Sequence, residues 1–276
     1  MENLNVLAYE LRKDVLRMIV EGKGGHIGGD MSVMEILVAL YFDEMNISVE
    51  NWKSENRDRF VMSKGHSVEA YYAVLARKGF FPIEEVISQF SKFASPYIGH
   101  PNNKLPGIEM NSGSLGHGLP VSVGIALAAK MNDTSYRVYT VMGDGELAEG
   151  SVWEAAMAGS QYKLDNLCAI IDRNRLQISG GTEEVMHHDS QMERWTSFGW
   201  HVVEAEGNDT VSLIKAFKEA RQTKEKPTVI IANTVKGCGS KVMENKASWH
   251  HKVPNQEELD QIMKDFEERK EALYHE

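Results

Sequence analysis

The stretch Tyr136–Glu146, YRVYTVMGDGE, joins an apolar run to a turn rich in glycine. Residues Tyr136–Val141 have the composition of a buried strand, and Gly143 and Gly145 let the backbone turn sharply behind it. A helix is predicted from this turn to about Tyr162. In open α/β sheets, ligands bind beyond the carboxyl ends of the strands, which is where this turn would lie. The stretch therefore predicts a strand–turn–helix unit with a ligand site at its turn.

Further strands and helices alternate on both sides of this unit. The alternation predicts an α/β fold, in which one domain holds a parallel sheet with helices on both faces. Ser32 and Glu35 match a capping box, S-x-x-E, which places the start of a helix at Ser32. The predicted strands are Arg59–Met62, Tyr136–Val141, Asn166–Ile171, His201–Glu204 and Thr228–Ala232. The predicted helices are Leu4–Val20, Ser32–Tyr41, Val68–Lys78, Ile83–Phe93, Leu119–Lys130, Gly145–Tyr162, Thr210–Arg221 and Gln256–Leu273.

Composition and charge exclude several classes of protein. The 276 residues include 30 Lys and Arg and 40 Asp and Glu, so the net charge is −10, and apolar residues make up 42%. This is ordinary globular usage, and its acidity argues against a nucleic-acid partner. Two cysteines, Cys168 and Cys238, cannot form a disulfide framework. The N-terminus lacks a signal-peptide pattern, and no run of about 20 apolar residues exists, so we expect a cytoplasmic protein without a membrane partner.

Asp144 is the predicted metal ligand at the turn. The helix that follows aims free N–H groups and a positive dipole end at a bound anion. A carboxylate there would repel a phosphate unless a cation lay between them, so Asp144 is predicted to bind Mg²⁺ that carries a diphosphate. Asn174 lies 174 − 144 = 30 residues later, at the end of the next strand, and its amide oxygen can complete the site. A backbone carbonyl near Leu176 could add a third oxygen, and Ca²⁺ or Mn²⁺ could replace Mg²⁺.

Six blocks of sequence, in order along almost the whole chain, resemble the transketolase family. The segment from Gly143 to Ser179 is similar to the family's thiamine-diphosphate signature, which opens with G-D-G and closes with Asn. His117 replaces the usual Gln of a G-S-L-G-Q-G block, and Asp30 stands where the family usually has a small or apolar residue. The other blocks are Gly25–Gly29 (GHIGG), Asp58–His66 (DRFVMSKGH), Gly99–Pro101 (GHP), Gly113–Gly118 (GSLGHG) and the late motifs Lys236–Gly237 and Ser248–His250.

The resemblance implies a thiamin-diphosphate-binding fold and a set of cofactor contacts. Asp144, Asn174 and the carbonyl of Leu176 would hold the metal ion. Backbone groups of the segment Gly113–Leu115 would meet the aminopyrimidine ring. In that segment, the contact residues are Gly113, Ser114 and Leu115. The other implied cofactor contacts would line the diphosphate and the reacting centre, and they are Gly145, His66, Lys236 and His250.

Four histidines carry the implied catalytic roles. His26, His66, His100 and His250 would surround the hydroxyl groups of a ketose. An ordinary imidazole pKa near 6.5 suits proton transfer at neutral pH, and we expect His250 and His26 to act at the C3 and C2 oxygens of the donor. The carbanion would be stabilised by the cofactor ring. Glu149 and Glu154 resemble family carboxylates near a subunit contact.

The resemblance covers only the diphosphate-binding domain of a full transketolase, over residues 1–276. A pyrimidine-binding domain and a C-terminal domain would each need about 100 residues or more, so they are predicted to lie on a separate C-terminal subunit. We expect a two-plus-two heterotetramer with the cofactor between unlike chains. The predicted activity moves a two-carbon ketol unit from a ketose phosphate, or a similar anionic ketose, to an aldose phosphate.

Several alternatives stay open on sequence alone. The chain could be a subunit of another two-chain thiamine enzyme, such as a dehydrogenase E1 component or a deoxyxylulose-phosphate-synthase-like protein. It could also be a non-catalytic subunit that binds cofactor or only scaffolds its partner. The adjacent His187 and His188 look like a metal cluster, but a helix cap at Asp189 or Ser190 is the favoured interpretation. Asp30, His117 and Ile178 lie near the site, so the donor itself is not identified.

Overall fold

A five-stranded parallel sheet forms the centre of the domain. The computed structural model describes residues 3–187 and 190–274. The strands of the sheet are β1 Arg59–Met62, β2 Val138–Gly143, β3 Leu167–Arg173, β6 His201–Glu206 and β7 Thr228–Asn233, and they lie in the order β1-β2-β3-β7-β6. A short antiparallel hairpin, β4 Leu176–Gln177 with β5 Gly180–Gly181, follows β3. The predicted parallel α/β sheet is confirmed.

Helices cover both faces of this sheet. Successive residues of β3 show this: Cys168 and Ile170 belong to one apolar cluster, and Ala169 and Ile171 belong to the other. Because both faces are buried, the central strands β2, β3 and β7 are buried along almost their whole length, whereas the edge strand β6 alternates, with Glu204 and Glu206 exposed. The helices are α1 Leu4–Gly22, α2 Ile27–Ala39, α3 Val68–Arg77, α4 Ile83–Gln89, α5 Gly118–Met131, α6 Gly150–Gln161, α7 Thr182–Val185, α8 Gln191–Ser197, α9 Thr210–Gln222 and α10 Gln256–Ala272.

The predicted helix start at Ser32 is wrong. Helix α2 begins at Ile27 and is buried over its whole length, so Gly28 and Gly29 are part of the helix, whereas Gly24 and Gly25 lie before it. The Ser32 hydroxyl donates to Asp172 (2.6 Å) and lies 3.0 Å from the carbonyl of Gly29, while Glu35 forms a buried ion pair with Arg12. The two side chains that resemble a capping box are therefore held by residues distant in sequence. Because α2 begins at Ile27, His26 lies at the N-terminus of this helix.

Two other sequence predictions concern helix ends. Helix α4 ends at Gln89, short of the predicted Phe93, because the backbone of Phe90 is no longer helical and Ser91 is left-handed. The N-cap predicted at Asp189 or Ser190 falls on Ser190, whose hydroxyl accepts the N–H of Glu193 at 3.2 Å. His188 and Asp189 lie outside the described residues.

Within residues 3–187 and 190–274, no helix is long and apolar enough to cross a membrane.

Candidate active site

A cleft of about 460 Å³ opens at the carboxyl ends of β2 and β3. Gly143 and Asp172 are register partners on these neighbouring strands, so the residues that follow them meet at one edge of the sheet. Loops from the N-terminal and C-terminal thirds of the chain complete the walls. The lining includes His26, His66, His100, Gly113, Leu115, Asp144, Gly145, Asn174, Leu176, Lys236 and His250. Every predicted site residue except Ser114 therefore lines one cleft.

Asp144 is a buried carboxylate that fits a metal ion. Its Oδ1 accepts the N–H of Gly145 (3.0 Å) and its Oδ2 accepts the N–H of Arg175 (2.7 Å). Burial, and next the charge of Asp172, raise the pKa of Asp144 to about 6. Among the described residues, no Lys or Arg forms an ion pair with this carboxylate. A divalent cation would supply the missing positive charge.

Asn174 and Leu176 supply two further oxygens beside Asp144. The Asn174 Oδ1 accepts the N–H of Leu176 (3.1 Å), and its Nδ2 donates to the Ser32 hydroxyl (3.3 Å), which fixes the orientation of the amide. The carbonyl of Leu176 accepts a hydrogen bond from the ammonium of Lys236 at 3.1 Å. Across the described part of the chain, no three His, Cys, Asp or Glu side chains are grouped to hold a metal. The proposed set instead uses one carboxylate, one amide and one backbone carbonyl, all oxygens suited to Mg²⁺.

The four predicted histidines form one cluster with His26 at its centre. Its ring centroid lies 5.3 Å from that of His66, 6.2 Å from that of His100 and 5.6 Å from that of His250. His251 also belongs to this cluster, with its ring 4.8 Å from that of His26, and it was not among the predicted site residues. In the sequence, only the adjacent His250 could have indicated a role for His251. Such a signal is weak, because neighbouring residues on a loop need not face the same way.

The pKa values of the four predicted histidines are lowered, which favours their neutral form at physiological pH. Burial is the main cause, and nearby positive charge adds to it: the pKa of His26 falls to about 4 and that of His250 to about 3. Burial and Lys64 also hold the pKa of His66 well below its ordinary value, and burial lowers that of His100. The expected imidazole pKa near 6.5 is thus wrong for this site. These rings can still donate and accept hydrogen bonds as neutral imidazoles.

Two buried lysines lie under the cluster and account for part of this effect. The ammonium of Lys64 pairs with Asp172, which also accepts hydrogen bonds from Ser32 and Thr234. Lys236 lies 3.0 Å from Nδ1 of His250. Burial, and next the charge of Lys64, lower the pKa of Lys236 to about 8, so it is mostly protonated at pH 7. Lys236 therefore places a positive charge beside the part of the cleft where a diphosphate would lie.

The loop before α5 forms one wall, and Glu146 holds it in place. Glu146 is buried, and its carboxylate accepts hydrogen bonds from the N–H groups of Gly116 (2.8 Å) and Gly143 (3.1 Å) and from the Ser63 hydroxyl. A side chain at Gly113 would come within 2.8 Å of the His100 ring, so this position requires glycine. Glu146 was not predicted to have a role, although it follows Asp144-Gly145 directly.

Other residues of interest lie at the edge of the site. Ser114 is exposed, and its hydroxyl lies 3.2 Å from Nδ1 of the exposed His117. Ile178 lines the cleft with its side chain largely exposed. Glu149 lines the cleft too, whereas Glu154 lies on the exposed side of α6. His187 contacts Glu183 and does not line the cleft.

A family model described as the thiamine diphosphate binding domain of transketolase matches residues 5–272. The chain belongs to the transketolase family. It is 50% identical over 272 residues to one subunit of the apulose-4-phosphate transketolase of Phocaeicola vulgatus, and the match covers 99% of this chain and 96% of that protein. It is 40% identical over 242 residues to a 6-deoxy-6-sulfo-D-fructose transketolase subunit of a Clostridium species, covering 87% of this chain and 88% of that protein.

Full-length transketolases match over less than half of their length. Human transketolase is 39% identical over 96% of this chain, which corresponds to 42% of the human protein. Among solved structures, transketolase from Leishmania mexicana superposes with a TM-score of 0.88 at 27% identity, over 99% of this chain and 45% of that chain. The transketolase-family chain thus has the fold of one domain of these larger enzymes.

Proposed function

We propose that this chain is the diphosphate-binding subunit of a two-subunit transketolase. The observation that carries the proposal is the cleft in which Asp144, Asn174 and the Leu176 carbonyl lie beside the cluster of four predicted histidines. The oxygens would hold Mg²⁺ with the diphosphate of thiamine diphosphate, and Lys236 would contribute positive charge next to them. When bound, thiamine diphosphate would supply the electron sink for cleavage of the donor's C2–C3 bond.

The histidines would handle the protons of this reaction. The Nδ1 of His250 accepts a hydrogen bond from Lys236, so the neutral ring carries its proton on Nε2. This Nε2–H would protonate the aldehyde oxygen of the acceptor as the new carbon–carbon bond forms, with Lys236 giving a proton to Nδ1. In donor cleavage the proton of the C3 hydroxyl would follow the same path in reverse, entering at Nε2 and leaving from Nδ1 to Lys236. His26 would donate its N–H to the C2 oxygen. The rings of His66 and His100 lie 5.3 Å and 6.2 Å from that of His26, and they would orient the remaining hydroxyl groups of the donor. Neutral rings suit this role, because they donate and accept without a full buried charge.

The donor is proposed to be a ketose with an anionic end group. The two subunit relatives are named for apulose 4-phosphate and for 6-deoxy-6-sulfo-D-fructose, so each name specifies a sugar with a phosphate or sulfonate. We propose apulose 4-phosphate as the donor to test first, because the relative named for it shares 50% identity over almost the whole chain. An aldose phosphate is the proposed acceptor.

A separate C-terminal subunit is the proposed partner, and a heterotetramer of two chains of each kind is the proposed assembly. The Phocaeicola relative is named as one subunit of its transketolase, which supports a partner of this kind. The partner would carry the pyrimidine-binding and C-terminal domains, and an adjacent reading frame of roughly 300 residues is the candidate source. We also propose a cytoplasmic location.

The test is a reconstitution. The purified chain is mixed with Mg²⁺, thiamine diphosphate, apulose 4-phosphate and an aldose phosphate, with and without the candidate partner, and ketol transfer is followed by product analysis. We expect turnover only with both proteins, and none for a complex that carries Asp144→Asn. Turnover by the chain alone would overturn the two-subunit proposal, and decarboxylation of a 2-oxo acid would indicate an E1-type enzyme instead.

A further inference from the structure

Two buried carboxylic acids meet beneath the histidine cluster. Asp30 lies in the first turn of α2 and Glu69 lies in the first turn of α3, and both are fully buried. The Oδ1 of Asp30 accepts the N–H of Ala70 (3.1 Å), and the Oε1 of Glu69 accepts the N–H of His26 (3.2 Å). Each helix therefore receives its N-terminal capping oxygen from a side chain of the other helix.

The second oxygen of each carboxyl group has no donor. Oδ2 of Asp30 and Oε2 of Glu69 are both buried and unpartnered among the described residues. The Asp30 carboxyl binds the N–H of Ala70, the residue after Glu69, so the two carboxyl groups are neighbours, and the charge of Asp30 adds to burial in raising the pKa of Glu69. A direct hydrogen bond between the two groups requires a proton on one of them, because two carboxylates have only acceptors. A proton between Oδ2 and Oε2 satisfies both atoms.

The surroundings provide little charge to compensate a second ionisation. Lys64 is the cation that acts on Asp30, and its ammonium is already bound to Asp172. Tyr72 and His26 also face Glu69. Tyr72 is an uncharged phenol whose hydroxyl donates to the carbonyl of Ile98. Helix α1 contributes the apolar Ile19, and its Arg12 is held by Glu35. Burial raises the pKa of Asp30 to about 7 and holds that of Glu69 well above its ordinary value.

We propose that Asp30 and Glu69 share a proton and act as a positioning pair, which fixes the segment of His26 against the segment of His66. His26 is the residue before α2, and His66 lies in the turn before α3, so the pair joins the two helix starts that carry these rings. Their ring centroids are 5.3 Å apart. The position of Glu69 also requires glycine at residue 25, because a side chain there would come within 2.5 Å of Oε1 of Glu69. That the pair serves donor binding rests on the proposed function.

The shared proton is tested by unfolding the isolated full chain in urea at pH 5.5, 6.5 and 7.5. A carboxyl group whose pKa is raised in the folded state keeps a proton that the unfolded chain has released above pH of about 5. The quantity compared is the unfolding constant of the wild type divided by that of the double variant Asp30→Asn/Glu69→Gln. We expect this ratio to rise about tenfold or more for each unit by which the pH increases. Glu44→Gln removes a buried carboxylate that already has Arg221 as its cation, so its ratio should stay constant. A constant ratio for the double variant would overturn the shared proton.

The positioning role is tested in the reconstituted complex. Asp30→Ala leaves Glu69 without its partner, so we expect kcat to fall about tenfold or more, with the affinity for thiamine diphosphate and Mg²⁺ unchanged. Asp30→Asn can donate to Glu69 in place of the shared proton and should recover most of this loss. Equal losses in the two variants would overturn the role. A wild-type complex without ketol transfer would contradict the proposed function alone, because the unfolding ratio is measured without substrate.

Discussion

The ammonium of Lys236 lies 3.0 Å from Nδ1 of His250 and 3.1 Å from the carbonyl of Leu176. One side chain therefore contacts both a proposed catalytic ring and a proposed metal ligand. An ammonium has only donors, so it fixes the neutral ring of His250 in the tautomer with its proton on Nε2. It also links the orientation of this ring to the diphosphate end of the cleft.

Lys236→Met keeps the apolar stem of the side chain and removes this ammonium. The affinity for thiamine diphosphate in the presence of Mg²⁺ should fall about 10-fold to 100-fold, which corresponds to the loss of about 1.5–3 kcal/mol from a charged hydrogen bond. The pKa of His250 should also rise, because Lys236 is one cause of its low value. Calorimetry and histidine NMR measure the two effects. Lys163→Met, at an exposed ion pair far from the cleft, is the control, and equal affinities in both variants would contradict the assignment.

His250→Ala should separate catalysis from cofactor binding. We expect turnover of the reconstituted complex to fall about 100-fold to 10,000-fold, the usual effect of removing a general acid or base. Complex formation, measured by analytical ultracentrifugation, should be unchanged, and cofactor affinity should change little. The control is His201→Ala, because His201 pairs with Glu219 outside the cleft. Wild-type turnover in His250→Ala would favour the scaffold alternative.

Lys64→Met should destabilise the chain more than any exposed lysine variant. The substitution leaves Asp172, which is fully buried, with hydroxyl donors but without its cation. Loss of one partner of a buried ion pair lowers the free energy of unfolding by about 3–5 kcal/mol. Urea denaturation measures this loss, and Lys64→Met/Asp172→Asn should restore part of it. A double variant less stable than Lys64→Met would argue that Asp172 is held by its hydroxyl partners alone.

The histidine cluster should make the chain less stable in mild acid. The pKa values of His26 and His250 lie below the value of about 6.5 that they have in an unfolded chain. As the pH falls from 6.5 toward 4, the unfolded chain takes up protons that the folded chain does not, so the free energy of unfolding decreases. In His26→Asn/His250→Asn, urea midpoints should depend less on pH across this range. Parallel pH curves for wild type and variant would show that the rings titrate normally.

Much of the fold followed from local patterns. The run Tyr136–Val141 and the turn at Gly143–Gly145 predicted β2 and its site, because a strand buried on both faces is continuously apolar. The start of α2 was misplaced, since Ser32 and Glu35 match a local motif while their partners, Asp172 and Arg12, are distant in sequence. Short-range patterns carry no information about such partners.

The candidate site was predicted through its motifs, and its electrostatics were not. That His26 and His250 lie in one cluster followed from resemblance, but their low pKa values depend on burial and on Lys64 and Lys236 beneath them. His251 and Glu69 were missed because their roles depend on neighbours supplied by other loops. The residues of a site can thus be found from sequence when the motifs are present, whereas their charge states require the packed structure.

The contact between His26 and His250 also bears on how the molecule folds. These rings lie 5.6 Å apart in space and 250 − 26 = 224 residues apart in the chain. Closing a loop of that length carries an entropic cost that is met before the contact stabilises the fold, and long-range contacts of this kind slow the overall folding rate. The cleft is assembled when the C-terminal loop docks onto the start of α2, where the N–H of Gly237 donates to the carbonyl of Gly28 at 2.9 Å. Competence to bind ligand would therefore be among the last properties that the newly made polypeptide acquires.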